Sequence, residues 1–576
     1  MWVSGPQRII ERVSSVLVVA AIFLYLCGLT VFQFNHNGSF YFPLREPDLA
    51  YHFTRVLTFL SGPRERLVFD PTMNFPCGLH VPWPWGFDGI LAGFAWVARA
   101  LGGGQERADL ARSVSFVIPM ATTAMLGLLH VTLKRMGSYK TISLLVVGLL
   151  ALTPAVRTVG YYGSIDNKLA DFVVHFAFTA VVIRAGRSGR ISPWASVAVF
   201  GLLSASDLAI LNAGLLCIVE LITRVHAQRR ESMGWFFALT LTTLVFLIGE
   251  RLTGLARSYQ GVFWAYVAGM GLLLLLGAMF SLGRFTSFKR FLSALAAGCV
   301  LVAALAALTL PGNLLQYFSK TDGVVEGINE AQAPWLYYGW VFFFTWIALA
   351  ALAVRAVWRT NLTSNARYFF IGQTALATIL FTMQVKFDYL IVLPAAIGVA
   401  LTITQGIRWC RVWYRGPTQG TWLATPVFAS GFVAWVLFVT GPYLLGAPLP
   451  ETRAWYAMAT VLAATNPGHP CVVGTPANAG TLVNHLTGCH VASSTFWGDK
   501  CSLDGHRLSE SAQTADLRSV HAIAERGIRY MIIQTNADHA VAPFLKERVI
   551  HRESFVAFGT TTVNELQLVD LGPRSR

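Results

Sequence analysis

Charge is what this sequence lacks. Only 13% of its 576 residues are Asp, Glu, Lys or Arg, against 55% hydrophobic ones, and the mean hydropathy is +0.54. That much apolar surface cannot be hidden in one water-soluble core, which excludes an ordinary soluble domain and leaves lipid as the solvent. CxxC pairs and zinc-finger spacings are also missing, so the eight cysteines do not outline a metal-stabilised fold. There is no long low-complexity tract and no short-period repeat, which argues against a linker-rich chain or a solenoid.

What the chain does have is long apolar runs and an unequal distribution of basic residues. Runs suited to cross about 30 Å of hydrocarbon lie near residues 15–33, 113–133, 142–157, 169–183, 193–206, 207–223, 234–249, 262–281, 291–310, 336–354, 368–385, 389–405 and 422–445. They make thirteen candidate spans, or twelve if 193–223 is one long helix. If the N-terminus is cytoplasmic, the cytoplasmic segments hold twenty basic residues, from Arg8 and Arg12 to Arg411 and Arg415, against two acidic ones, Glu11 and Glu231. The outer loops are mixed, with seven basic and seven acidic residues in 34–112. The formal charge of +15 therefore reports membrane orientation, N-terminus in and C-terminus out, and not a nucleic-acid partner.

The run Phe87 to Leu101 would break this alternation if it spanned, so it reads as a helix near the outer surface within a long first external loop, 34–112. The first span has no small-residue cleavage site and reads as a retained anchor. After residue 446 the sequence turns polar, and β-rich runs at CVVG, IRYMIIQT and VNELQLVDL alternate with helical stretches. The expected organisation is a polytopic α-helical membrane region, 1–445, followed by an external α/β domain, 446–576. On this topology Cys77, Cys471, Cys489 and Cys501 face the oxidising side, where a Cys489–Cys501 disulfide and unpaired buried thiols are both open readings.

Carboxylates at the ends of spans are costly unless they face a cavity or a partner, which makes them candidate site residues. All of them fall on the outer side: Glu46 and Asp48 after the first span, Asp166 and Asp171 after the third, Glu326 and Glu330 before the tenth, with Lys386 and Asp388 between the eleventh and twelfth. Converging carboxylates can bind a hard divalent cation that neutralises a departing phosphate, and a further one can orient or deprotonate an acceptor. Taken singly, each could equally be a solvated loop charge or a helix cap.

Four stretches carry a family resemblance. EPDLAYHFTR resembles the first acidic motif of the oligosaccharyltransferase catalytic subunit, and PAVRTVGYYGSIDNKLADF its second external loop. GINEAQAP is similar to the short external motif ending in glutamate, and KFDYL occupies the place of an Arg-Phe pair near the donor diphosphate. The resemblance implies the GT-C membrane glycosyltransferase fold and inverting transfer from a polyprenyl-phosphate- or diphosphate-linked sugar to a protein, lipid or glycan acceptor. It implies a divalent cation, Mg2+ or Mn2+, held by Asp48, Asp166, Asp171 and Glu330, with Asp48 also meeting the acceptor. Lys386, Lys168 and Arg55 are the expected donor-phosphate contacts, and Glu46, His52, His485 and His490 candidate acceptor or sugar contacts, the histidines equally serving the fold.

Two departures stand out. Lys168 occupies the position where the family has a second acidic residue, which leaves metal dependence open: Lys168 does part of the cation's work itself, or it points to solvent and the carboxylates hold an ion. The W-W-D-Y-G motif, which in the family reads an Asn-x-Ser/Thr acceptor, has no counterpart. The C-terminal stretch is more like the external domains of bacterial membrane glycosyltransferases, and a bacterial inner membrane is the expected location. Rival readings are a transporter or flippase for lipid-linked sugar and a catalytically silent scaffold.

Overall fold

The computed structural model describes residues 5–28, 47–81, 83–102, 107–188, 201–228, 233–253, 260–285, 287–309, 339–384, 387–413, 429–434, 450–465, 471–493, 517–536, 548–556 and 563–571, with a few single positions between them. Helix α1 (Gly5–Gly28) leads to α2 (Pro47–Ser61), a short hairpin of β1 (Phe69–Asp70) and β2 (Leu79–His80), and α3 (Gly86–Ala100). The bundle continues with α4 (Arg107–Arg135), α5 (Lys140–Ala151), α6 (Pro154–Gly160), α7 (Lys168–Ser188), α8 (Asp207–His226), α9 (Gly234–Leu252) and α10 (Gln260–Ser281). It closes with α11 (Phe288–Thr309), α12 (Trp340–Trp358), α13 (Ser364–Met383) and α14 (Asp388–Trp413).

Among the described residues seven helices, α4, α8 to α12 and α14, are long and apolar enough to cross a membrane. The chain is an integral membrane protein. Helices α1, α7 and α13 stand at expected span positions, but α1 offers only a shorter apolar stretch, Arg12–Gly28. Most of the expected span 193–206, and of 422–445, lies outside the described residues. Helices α12 and α14 approach closely at Gly398, where a Cβ would come within 2.6 Å of the Leu349 carbonyl oxygen, the kind of backbone contact that small residues permit in membrane bundles.

The expected span 142–157 is broken: it is two helices, α5 and α6, bent by 70°, which together are long and apolar enough to cross. Thr153 leaves the helical region at φ −66°, ψ 144°, its side chain accepts from the Val156 N–H, and Pro154 opens α6. The residue before a proline is pushed out of the α region, while proline itself is favoured at a helix start. A similar break separates 201–205 from α8: Ser206 is extended at φ −154°, ψ 137° and caps α8 by accepting from Leu208 N–H, so 193–223 is not one helix.

Beyond the bundle come α15 (Pro450–Thr465), β3 (Val472–Gly474), α16 (Ala477–Thr487), β4 (His490–Val491), α17 (Leu517–Glu525), β5 (Tyr530–Asn536), β6 (Val549–Val556) and β7 (Val563–Asp570). The strands form one sheet in the order β4-β3-β5-β7-β6, parallel from β4 to β5 and antiparallel from β5 to β6. The first loop is joined to it. Val491 N–H donates to Thr72 O at 2.9 Å and Val491 O accepts from Phe75 N–H at 2.8 Å, which covers the β4 edge. Tyr51, Met73 and Leu79 share a core with Trp455, Leu482 and Ile532.

The cysteine pairing differs from the Cys489–Cys501 possibility. Parallel register sets Val472 opposite His490, which puts the preceding residues Cys471 and Cys489 side by side, and these two are bonded. Cys501 instead bonds Cys77 and ties the first loop to the segment after β4. Peptide mapping under non-reducing conditions is expected to recover both of these cross-links, and a 489–501 cross-link would overturn the register argument.

Candidate functional site

Helix α2 is buried nearly all round, with Tyr51, His52, Phe53 and Val56 fully enclosed. Two of its polar groups, one helical turn apart, need a partner there. Asp88, in the first turn of α3, serves both: its Oδ1 lies 2.7 Å from His52 Nδ1 and its Oδ2 lies 2.8 Å from Arg55 Nη1. The three side chains are at most 2% exposed. His52 also packs against Trp83 and Phe87, and its other nitrogen, Nε2, is buried without a hydrogen-bond partner among the described residues.

The second loop folds back on itself before α7. Gly163 takes φ +92°, Ser164 Oγ donates to Thr158 O at 2.8 Å, and Tyr162 N–H donates to Leu26 O at 3.0 Å, which fixes the loop against α1. Asp166, 2% exposed, follows at the entry to α7. Its Oδ1 accepts from Lys168 N–H at 3.1 Å and its Oδ2 lies 3.2 Å from Lys168 Nζ. Burial works against the charged carboxylate, but the Lys168 ammonium, then the His52 ring and the hydrogen bonds from Lys168, outweigh it and hold Asp166 below the ordinary carboxylate range.

Asp171, one turn into α7, accepts from the hydroxyl of Ser206 on one oxygen and from Tyr389 OH on the other, at 2.9 Å for Tyr389. It therefore joins α7 to the starts of α8 and α14. Trp85 Nε1 donates to Glu250 Oε1 at 3.1 Å and links the first loop to the end of α9. All these carboxylates gather at one end of the bundle. The opposite end is marked by Arg408 donating to Gly137 O, by Ser138 with Thr404, and by Glu220 with Arg224 and Asn365.

The structure thus brings together Asp166, Lys168 and Asp171 with Ser206 and Tyr389. Asp48 stands four residues before His52 in α2, and its side chain lies outside the described residues. Glu46, Glu330 and Lys386 also lie outside them. Arg55 has its guanidinium enclosed, with Nη1 2.8 Å from Asp88 Oδ2. His485 docks α16 onto α2 by a 2.7 Å contact with Thr54 Oγ1 and by packing on Phe53. Half-buried His490 packs on Phe75, and burial, then Arg66, lower its basicity against the pull of Asp70.

For the expected divalent cation, two of the four candidate ligands can be tested. Asp166 already holds an ammonium and both oxygens of Asp171 take hydroxyl protons, a donor set that does not fit a cation needing free carboxylate oxygens. Among the described residues no three His, Cys, Asp or Glu side chains are placed to hold a metal. Sequence reasoning missed Asp88, Ser206 and Tyr389. The one usable signal was Asp88 itself, the single acid in the apolar run FDGILAGFAWVARAL.

The bundle, the joined first loop and the sheet together give a fold similar to that of solved oligosaccharyltransferase structures. The chain matches the Archaeoglobus fulgidus oligosaccharyltransferase AglB, solved with an inhibitory peptide and a dolichol-phosphate, at TM-score 0.65 and 12% identity over 92% of this chain and 70% of that one. The apo form of the A. fulgidus enzyme gives TM-score 0.65 and 13% identity over 91% and 69%, and the form tethered to an acceptor peptide with an NVT sequon gives 0.63 and 12% over 91% and 68%. No protein-family model and no curated protein matches the sequence.

Proposed function

We propose that the chain is a membrane glycosyltransferase that moves a sugar or oligosaccharide from a polyprenyl-phosphate- or diphosphate-linked donor to an acceptor on the outer face of the membrane. The observation that carries this reading is the buried Asp166–Lys168 pair at the end of the bundle where the first loop and the starts of α7, α8 and α14 meet. Charge so expensive to bury at a membrane boundary is the mark of a working site. The lipid phosphate and acceptor peptide bound by the structural neighbours support a lipid-linked donor and a peptide as one kind of acceptor.

In the proposed reaction an acceptor atom, oriented by Asp48, forms a bond to the anomeric carbon while the bond from that carbon to phosphate oxygen breaks. The electron pair leaves on the phosphate, whose charge Lys168 and Lys386 stabilise, and the acceptor proton passes to Asp48. The residue range 1–445 supplies this site and 446–576 forms an external domain, oriented outward by the twenty-to-two basic bias of the opposite loops. The test is transfer by the purified protein from radiolabelled polyprenyl-linked sugar to peptide, lipid and glycan acceptors. Label appearing on an acceptor is the expected result. Translocation of labelled lipid without transfer would establish the transporter, and neither activity would establish the scaffold.

A further inference from the structure

Related enzymes are expected to carry a carboxylate two residues after the aspartate of the second loop; this chain places an ammonium there, and it turns inward. Lys168 is 12% exposed along its side chain, and its Nζ lies 3.2 Å from Asp166 Oδ2. The backbone N–H of the same residue donates to Oδ1. Both oxygens of Asp166 are therefore held by one residue. The next carboxylate, Asp171, is spent on Ser206 and Tyr389, which are 35 and 218 positions away and stand at the starts of two other helices. To admit a divalent cation here, the ammonium would have to leave its counter-ion and two hydroxyl bonds would have to be given up, while two like charges came close together in a site with little water.

We infer that the Lys168 ammonium takes the place of a divalent metal ion at this loop, so that sugar transfer by this chain runs on a cation supplied by its own sequence. The inference rests on the transferase reading. Lys168 stays protonated throughout: it offsets Asp166 in the resting site and turns part of its charge toward phosphate as the bond from the anomeric carbon to phosphate oxygen breaks. An ammonium has three donors and no fixed plane, so it can serve Asp166 and an incoming phosphate oxygen together.

Two measurements on the full-length protein in detergent test this. The first is Mn2+ binding followed by electron paramagnetic resonance, which needs no substrate and no activity. Wild type is expected to show no saturable stoichiometric site, whereas Lys168→Glu gains one. The second is transfer after EDTA treatment. Wild type is expected to keep its rate within about twofold, Lys168→Arg to keep most of it, and Lys168→Met to lose on the order of 100-fold without rescue by Mn2+ or Mg2+. One tightly bound Mn2+ per wild-type chain, or activity lost to EDTA and restored by metal, overturns the inference. If no donor and acceptor pair yields transfer, the transferase reading fails separately, and the Mn2+ measurement still decides whether Lys168 has displaced a metal.

Discussion

Asp166→Asn is expected to lower kcat/KM for sugar transfer at least ~100-fold, the scale seen when a preorganised electrostatic group is removed from a reacting centre. The amide keeps the shape of the side chain and still accepts from Lys168 N–H, so the entry to α7 is preserved. What goes is the negative charge that aims the ammonium, whose Nζ stands 3.2 Å from Oδ2. The thermal midpoint at neutral pH should fall, because the charge removed is the one that offsets the largely buried Lys168 ammonium. The pH dependence of stability has a defined sign. Asp166 is held below its ordinary range, so its contribution is complete above the unfolded value of about 3.9 and is lost as pH falls through the depressed one. Asp166→Asn should flatten that acid limb. An Asn variant that transfers at wild-type rate would remove Asp166 from the site.

How much of this was legible beforehand depended on range along the chain. The spans could be read because a 19-residue helix such as α9 advances roughly 28 Å and must be apolar throughout. The break at Thr153–Pro154 was also visible in principle, since both signals are local. The organisation of the outer end was not. Asp171 finds Tyr389 at 218 positions and Thr54 finds His485 at 431, and no periodicity encodes such distances. Cysteine pairing was hidden for a related reason: the sequence left a Cys489–Cys501 bond and free thiols both open, whereas the parallel register of β3 and β4 pairs Cys489 with Cys471. Strand β6 escaped because VIHRESFV interrupts its apolar positions with four polar ones. The acidic residues were found because charge at a membrane boundary is conspicuous, but their roles were distributed by packing. Arg55, read as a phosphate ligand, is enclosed beside Asp88, a residue that its apolar surroundings had made look like part of a surface helix.

Asp88→Ala is expected to have the largest effect on stability of any single change at the outer end. Arg55 is 1% exposed and His52 fully enclosed, and Asp88 is the carboxylate that faces both. Deleting it strands a guanidinium in a dry interior, where removing one partner of a buried pair costs about 3–5 kcal/mol. The charge cannot be shed, because arginine does not deprotonate in proteins. The loss should appear as a large fall in the thermal midpoint of the purified protein and as earlier proteolysis within α2 and α3. A partial replacement separates charge from hydrogen bonding: Asp88→Asn keeps an oxygen for His52 Nδ1 but none of the charge for Arg55, and should lie between wild type and Ala. The decisive comparison is the double variant Asp88→Leu with Arg55→Met, which replaces the pair by apolar side chains and should recover most of the stability lost by Asp88→Ala, since a well-packed apolar substitute for a buried ion pair is often neutral or better. If the double variant were no more stable than Asp88→Ala, the cost would not lie in the stranded charge. His52 supplies a second readout. Without Asp88 to hold Nδ1, its ring loses the contact that orients it, so the double variant should fold and yet transfer sugar more slowly than wild type, with the deficit in kcat.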